Sequence, residues 1–275
     1  MTPNEIRNWR FAVWADFIGA ANRRPVERLQ RATIRQEPPG ALAIIGPYGS
    51  GKSSLARHLI TSFCCEHPSP GADPCHRCWE CAIQGKDHNG MGSAFSHWEL
   101  DCTAFTDRTE IRQVLHQIQE ADHVAVFWDE FQRLRVKSAQ SMLLKPSEDT
   151  RGLWIVAMTD DQYHQMDPQL FERYRKVWLA IPTAVEMADF LQAKAREWSV
   201  TVQREIIDLM VDVTQRSFRS CLNLLAAGAE NPDRVLDRAT LEEFLSLDRS
   251  DDDCLSWPIT DLNGSEQQGD FDSQG

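Results

Sequence analysis

The chain has 275 residues, of which 42% are hydrophobic, and its formal net charge is −12. That length suits one large domain or two smaller ones with a sizeable core. The acidic excess argues against a surface that binds nucleic acid as a whole, although a local basic face could still bind a phosphate backbone. The sequence contains no apolar run of membrane-spanning length and no secretory pattern at its N-terminus, so we expect a cytoplasmic protein outside the membrane.

Residues 1–40 are predicted to form a lead-in helix and then a charged, proline-containing loop from Ala32 to Gly40. The apolar run Ala41–Ile45 predicts a buried strand, and the next eight residues match the phosphate-binding pattern G-x-x-x-x-G-K-[ST]. Its glycines let backbone N–H groups turn toward phosphate oxygens, and the following helix adds the positive end of its dipole. We therefore expect Lys52 to reach the β- and γ-phosphates of a nucleoside triphosphate and Ser53 to offer a hydroxyl to Mg²⁺.

Cysteines cluster after the helix that follows this loop. Cys75, Cys78 and Cys81 are separated by two residues each, and the pair Cys64 and Cys65 lies just upstream. In a cytoplasmic protein this grouping indicates a metal site, since four thiolates close a tetrahedral structural Zn²⁺ centre. The spacing leaves open which of Cys64 and Cys65 is the fourth ligand. Two histidines, His76 and His88, are near enough in the sequence to replace a cysteine as metal ligand. Three cysteines stand alone and are expected to be buried or inert: Cys102, Cys221 and Cys254.

Short apolar strands alternate with helical patterns through the rest of the first 181 residues. The further strands are predicted at 97–101, 123–128, 153–158 and 177–180, and the helices near 111–118 and 136–145. This alternation predicts an α/β fold with a parallel five-stranded sheet covered on both faces. An inserted zinc module at about 64–85 interrupts the pattern.

The pattern changes to helices alone after Pro182. Four are predicted, near 183–197, 202–213, 217–229 and 239–247, with no convincing strand between them. We expect a small all-helical lid domain at 182–247 after a nucleotide-binding domain at 1–181. Residues 248–275 are polar and strongly acidic, which predicts a disordered tail with one candidate partner-binding spot at Leu255–Ile259.

The third predicted strand ends in two carboxylates, Asp129 and Glu130, the form taken by the acidic partner of a phosphate-binding loop. We expect Asp129 to hold Mg²⁺ and Glu130 to polarise the water that attacks the γ-phosphate. Thr159 ends the fourth strand, which we expect to lie between the loop strand and the acidic strand, where its hydroxyl can sense the γ-phosphate. The expected nucleotide contacts are Gly46, Pro47, Tyr48, Gly49, Ser50, Gly51, Lys52, Ser53, Ser54 and Asp129.

Over nearly the whole ordered chain, these residues resemble the AAA+ ATPases of bacterial replicative clamp loaders, of the gamma/tau type of DNA polymerase III. Trp9–Gly19 is similar to the family's N-terminal signature, with Phe11 where the family usually has proline. The cysteine insert is similar to the family's zinc module. Counting from the loop lysine, the resemblance places the first zinc ligand on Cys65 and leaves Cys64 as a bystander.

Further motifs extend the resemblance. Asp129–Leu134 and Ser141–Lys145 are similar to the family's acidic motif and the helix after it, which Pro146 is expected to end early. Glu-Arg-Tyr around Arg173 stands where the family has Ser-Arg-Cys, which implies an arginine finger that reaches a neighbouring subunit's ATP site. Ser-Phe-Arg-Ser around Arg219 resembles the lid motif whose arginine senses the γ-phosphate. From the residues alone, both arginines are better explained as solvated side chains, and the family resemblance is what supports these roles.

The resemblance implies Mg²⁺ and ATP at the loop and one structural Zn²⁺ on Cys65, Cys75, Cys78 and Cys81. The implied partners are other AAA+ clamp-loader subunits in a homo- or hetero-oligomer, a sliding clamp, and primed or double-stranded DNA. Family members continue into a helical collar, whereas this sequence becomes acidic after Leu247, so we expect the collar to be missing.

Three functions remain open at this point. The first is the ATPase subunit of a clamp-loader-like replication complex, which couples ATP hydrolysis to loading a sliding clamp on primed DNA. The second is a nucleotide-gated AAA+ adaptor of a phage, mobile element or repair system, which a missing collar favours. The third is a scaffold that binds ATP without turnover, and the presence of Lys52, Ser53, Asp129 and Glu130 argues against it.

Overall fold

The computed structural model describes residues 1–83, 96–105, 107–120, 124–134, 141–149, 152–166 and 168–247. The predicted acidic tail with Cys254 lies outside the described residues, as do His88, the end of the predicted zinc module and the first part of the helix predicted at 136–145. Among the helices that are described, none is both long enough and apolar enough to cross a membrane.

A five-stranded sheet forms the centre of the molecule. Its strands are β1 Ala41–Ile45, β2 Ser96–Asp101, β3 Val124–Asp129, β4 Gly152–Met158 and β5 Arg175–Trp178. All are parallel, in the order β2-β3-β4-β1-β5, which confirms the predicted sheet. Because β4 alone separates β1 from β3, the carboxyl ends of the loop strand and the acidic strand open on one crevice.

Helices cover the sheet and form a C-terminal helical portion, called the lid below. Those of the first part are α1 Pro3–Arg7, α2 Ala20–Ile34, α3 Lys52–Cys64, α4 Trp79–Ile83, α5 Arg108–Gln119, α6 Leu144–Asp149, α7 Asp160–Tyr163 and α8 Pro168–Glu172. The lid helices are α9 Ala184–Glu197, α10 Arg204–Val213, α11 Phe218–Glu230 and α12 Arg238–Leu247. A capping box fixes the start of the lid: the Thr183 hydroxyl accepts from the Glu186 N–H, and the Glu186 carboxylate accepts from the Thr183 N–H.

Alternate residues of each strand face opposite layers, as a sheet buried on both faces requires. In β3, Ala125 and Phe127 pack with α2 and α3, while Val126 and Trp128 pack on the side of α5. Trp154 of β4 lies beside Trp128, with ring centroids 6.1 Å apart. An apolar layer therefore covers each face of the sheet, and polar residues can occupy the ends of its strands.

The lid has its own apolar core, and the N-terminal helix α1 contributes to it through Ile6, which is fully buried. Two short strands, β6 Thr201–Val202 and β7 Val235–Leu236, pair in parallel beside α11. The prediction that no strand lies between the lid helices was therefore wrong. Two residues are too short a run to show a period in the sequence, and their pairing depends on contacts more than 30 residues apart.

Pro146 does not end the helix around it, as the sequence had led us to expect. Helix α6 begins at Leu144 and continues to Asp149, so Pro146 lies in its first turn. Proline is tolerated there because the N–H groups of the first turn have no partner within the helix.

Candidate nucleotide and metal sites

The phosphate-binding loop runs from Gly46 to Ser53, between β1 and α3. A Cβ on Gly46 would lie 2.3 Å from the Leu179 carbonyl oxygen, and Gly49 and Gly51 have φ values of +77° and +89°. A side chain would collide at the first position and strain the backbone at the other two, so this path requires the glycines. Helix α3 begins at Lys52, the second-last residue of the loop. The N–H groups of its first turn, which have no partner within the helix, therefore face the loop.

Lys52 lies inside the loop and is only 8% exposed. Its ammonium donates to the carbonyl oxygens of Gly46 and Pro47, both at 2.9 Å. Burial lowers the pKa of Lys52 below its ordinary value, and the carboxylates of Glu130 and Asp129 oppose that shift. The ammonium is therefore held between the loop and the acidic pair. Among the other predicted contacts, Ser50 donates to Pro47, Ser54 is half-buried and Tyr48 is exposed.

Ser53 and Asp129 meet at the end of β3. The Ser53 hydroxyl donates to Asp129 Oδ1 at 3.0 Å. Burial raises the pKa of Asp129, while the bond from Ser53 and the nearby Arg57 guanidinium lower it. A hydroxyl and a carboxylate this close fit the donors that Mg²⁺ takes in P-loop sites.

Glu130 follows β3 in the left-handed region, with φ of +51°. Its Oε2 accepts from Gln132 Nε2 at 2.5 Å, and its backbone N–H donates to Asp129 Oδ1 at 3.0 Å. A glutamate in this backbone region is strained, and such strain is found where side-chain direction matters. Although Asp129 and Glu130 are adjacent in the chain, the turn directs their side chains to different positions.

Thr159 directly follows β4, which lies between β1 and β3, as the sequence analysis expected. The residue is 1% exposed, and its hydroxyl has no partner in good hydrogen-bonding geometry among the described residues. The interaction of this hydroxyl with the Asp161 carboxyl is nevertheless the largest of the causes that lower the pKa of Asp161. A buried hydroxyl at this strand end is available to a ligand in the crevice.

Arg57 on α3 is a charged residue of the site that sequence reasoning missed. Its Nε donates to Glu99 Oε1 at 2.8 Å, and its Nη2 lies 3.7 Å from Asp129 Oδ2. In the sequence, only its position five residues after Lys52 could have indicated that Arg57 belongs to the site. Arg10 lies close enough to Arg57 and Arg219 for their charges to affect it. Burial, and then these two charges, lower the pKa of Arg10.

The lid reaches the loop through the start of α11. A Cβ on Gly49 would lie 3.8 Å from the Cα of Ser217, the residue that caps α11. Arg219 is the second residue of that helix, so its backbone lies close to the loop on the lid side. The predicted finger, Arg173, lies elsewhere: it is half exposed, and its Nε is 2.6 Å from Glu148 Oε1.

The segment Trp9–Phe17 connects the loop, the lid and the cysteine module. The Phe11 ring lies 3.3 Å from a Cβ placed on Gly51 and packs on Phe218 of the lid at a centroid distance of 5.1 Å. The Trp14 N–H donates to Asp73 Oδ1 at 2.7 Å. The segment therefore contacts the loop, the lid and the cysteine module at once.

His58 of α3 is buried beneath the segment, edge-on to Trp14 at a centroid distance of 4.6 Å. Burial, and then the nearby His76, lower its pKa to about 4. The unfolded chain, with a histidine pKa of about 6.5, binds more protons between these two values, so stability falls as pH decreases through that window. We expect His58 to cost about 1 kcal/mol of unfolding free energy between pH 7.5 and 5.5.

Denaturant unfolding of the wild type and of His58→Leu at both pH values measures this effect. Metal ligands titrate equally in both proteins, so the difference between their pH dependences isolates His58. The same pH dependence in the two proteins would contradict a neutral buried histidine.

Four cysteines converge below the segment. The Sγ atoms of Cys65, Cys75, Cys78 and Cys81 all lie within 4.8 Å of one another, and those of Cys75 and Cys81 are 3.9 Å apart. A tetrahedral Zn²⁺ with Zn–S bonds of about 2.3 Å needs sulfurs about 3.8 Å apart, so the cluster fits the ion. The N–H groups of Arg77 and Cys78 donate to Cys75 Sγ and lower the pKa of that thiol to about 6, which favours the thiolate. The N–H of Cys75 donates to Cys65 Sγ, where burial raises the pKa.

The other candidate ligands lie outside this cluster. Cys64 is half-buried next to Cys65, and His76 donates to the Ala12 carbonyl oxygen at 2.9 Å. Cys102 and Cys221 are buried singly, as expected of small apolar side chains.

A parallel sheet in this order, with a phosphate-binding loop after β1 and an acidic pair after β3, defines a P-loop fold of the AAA+ type. No protein-family model matches the chain. The DNA polymerase III subunit tau of Bacillus subtilis is similar to it, with 21% identity over 201 residues. These residues are 72% of this chain and 34% of the relative, so the chain spans about a third of that subunit's length.

Solved structures of RuvB from Thermotoga maritima share the fold. The structure of the RuvB Holliday junction branch migration motor has a TM-score of 0.60 at 15% identity, over 86% of this chain and 72% of that one. A point variant of the same protein gives 0.63 at 15% identity, over 87% and 74%. At this identity the likeness establishes the fold alone.

Proposed function

We propose that the chain is an Mg²⁺-dependent ATPase subunit of a clamp-loader-like assembly. The observation that carries the ATPase part is the 3.0 Å contact between Ser53 Oγ and Asp129 Oδ1, which joins the loop to β3 beside Lys52. Bound at these two donors, Mg²⁺ supplies positive charge to the β- and γ-phosphate oxygens.

Each residue of the crevice has a separate part in this proposal. Lys52 exchanges its two loop carbonyl acceptors for phosphate oxygens. Glu130, steadied by Gln132, accepts a hydrogen bond from the attacking water and polarises it. Thr159 holds that water from the end of β4, and Arg219 places positive charge near the γ-phosphate from the lid. Most of the rate gain comes from positioning and charge stabilisation.

Assembly supplies the remaining charge. Arg173 is exposed and is joined to Glu148, and no hydrogen bond or ion pair among the described residues connects it to the loop of its own chain. In an oligomer it reaches the ATP site of a neighbouring AAA+ subunit as an arginine finger. Hydrolysis then changes the contact between neighbours and releases what the assembly holds.

The proposed clients are a sliding clamp and primed DNA. Support comes from the similarity to a subunit named for DNA polymerase III and from the fold shared with a branch migration motor. ATP turnover measured with clamp plus primed DNA tests this part, with unprimed single strands as the control. We expect severalfold stimulation by clamp and primer together. Stimulation by a four-way junction, and by neither clamp nor primer, would refute clamp loading and leave the ATPase intact.

We propose further that the four-cysteine cluster holds one structural Zn²⁺. Metal analysis of the purified protein is expected to give about one Zn²⁺ per chain. Cys78→Ser is expected to reduce that content well below one and to lower the melting temperature, because binding and folding are coupled in such sites. Cys64→Ser is the matched control and is expected to keep its zinc. Full zinc content in Cys78→Ser would exclude this ligand set.

A further inference from the structure

Helix α2 carries a row of arginines that the proposed nucleotide site does not use. Arg24, Arg28, Arg31 and Arg35 follow one another at intervals of four, three and four residues, and all four are exposed. Arg35 is the C-cap residue that follows Ile34 and keeps helical backbone angles. At about 100° per residue, they point within about 60° of one another. They form a single ridge, the arginine stripe, about 16 Å long at the helical rise.

The arginine stripe points away from the core. The buried residues of α2 repeat the same four-three-four spacing on the opposite face: Asn22, Val26, Leu29 and Thr33. Val26 and Leu29 pack in the apolar layer against the sheet. The helix is therefore anchored along its inner face, and the guanidinium groups project from a rigid outer ridge.

Other charges of the chain leave most of the stripe uncompensated. Glu27 is the one acidic residue of α2, and it pairs with Arg23 at 2.8 Å, beside the stripe. Within the described part of the chain, Arg24, Arg28 and Arg35 form no ion pair. In a chain with a net charge of −12, three unpaired cations on one ridge are a marked local exception.

The helix itself explains only part of this arrangement. The macrodipole stabilises cations in the last turn, which accounts for Arg31 and Arg35. Arg24 and Arg28 lie nearer the N-terminus, where the dipole gives no such stabilisation. Their exposure and regular spacing fit an external anion that presents charges over about 16 Å, the length of the stripe at the helical rise.

We propose that the arginine stripe binds the phosphate backbone of duplex DNA. Duplex DNA presents one charge per about 1.7 Å of its axis, so a straight ridge of this length meets several phosphates at once. The planar guanidinium fork matches phosphate oxygens. An acidic protein partner fits less well, because protein interfaces centre on apolar side chains and the stripe contains none. Backbone contacts alone make the binding independent of sequence.

This inference extends the DNA-directed part of the proposed function. It is tested by fluorescence anisotropy of the full chain with a labelled duplex of about 20 base pairs, between about 50 and 200 mM salt. Four phosphate contacts predict a slope of log K against log salt of about −3.6. The triple variant Arg24→Gln, Arg28→Gln, Arg35→Gln is expected to have a slope of about −0.9 and to bind more weakly.

A second triple variant controls for net charge. Arg196→Gln, Arg204→Gln, Arg238→Gln removes three lid arginines, of which Arg196 and Arg238 are exposed and Arg204 is half-buried, and it is expected to keep the wild-type slope. Equal weakening by both triple variants, or an unchanged slope in the stripe variant, would overturn the inference. Preference of the wild type for polyglutamate over the duplex would also overturn it, in favour of an acidic protein partner.

ATP turnover without DNA separates this inference from the proposed function. The stripe variant is expected to hydrolyse ATP at the wild-type rate. A wild type that hydrolyses no ATP but shows the stripe-dependent slope would refute the proposed ATPase and support the stripe.

Discussion

Replacing Glu130 with glutamine is expected to reduce ATP hydrolysis by about 10²–10⁴-fold and to leave ATP affinity within a few-fold of the wild type. Glutamine keeps the size of the side chain and can still accept from Gln132, so the turn after β3 should persist. It has lost the negative charge that polarises the attacking water. Phosphate release measures turnover, and a fluorescent nucleotide analogue measures affinity.

Glu120→Gln is the matched control, since Glu120 is exposed at the end of α5. It is expected to hydrolyse ATP normally. Wild-type turnover in Glu130→Gln would remove Glu130 from the chemistry. Loss of both binding and turnover would assign it a structural role instead.

Replacing Arg173 with alanine is expected to lower turnover by about 10³–10⁵-fold, the range for an arginine finger. The physical reason is the charge that develops on the γ-phosphate in the transition state, which a second guanidinium stabilises. ATP affinity of the isolated chain should not change, because Arg173 contacts Glu148 rather than its own loop. Turnover and affinity are measured over a series of protein concentrations.

Arg175→Ala is the control for charge, two residues further on and also exposed. It should retain turnover that rises per chain with concentration. If Arg173→Ala hydrolyses ATP as the wild type does, each chain completes its own site, and the assembly part of the account fails.

Local patterns in the sequence were sufficient to predict the sheet and the proximity of Ser53 to Asp129. Ala41–Ile45 is apolar and ends at a glycine-rich loop, and β3 is apolar and ends in Asp129 and Glu130. In a parallel sheet both strand ends lie at one edge, so the proximity of Ser53 and Asp129 follows from topology. Spacing likewise grouped Cys75, Cys78 and Cys81, whereas the choice of Cys65 over Cys64 as the fourth member came from the family resemblance.

Contacts between distant segments were the part that the sequence could not provide. The pairing of Arg57 with Glu99 joins residues 42 positions apart, and neither carries a motif. Phe11 was noticed only as a departure from a pattern, whereas its place against Gly51 and the lid depends on the packing of three elements. Pro146 was misjudged because its effect depends on where α6 begins, which periodicity fixes poorly.

The central claim is that this chain hydrolyses ATP at sites completed by neighbouring chains. The most direct test is the turnover of an equimolar mixture of Glu130→Gln and Arg173→Ala, each inactive alone. In the mixture, Arg173 of the first variant can reach the intact Glu130 site of the second. The account predicts that mixing restores a substantial part of wild-type turnover, whereas a mixture as inactive as either variant alone would contradict it.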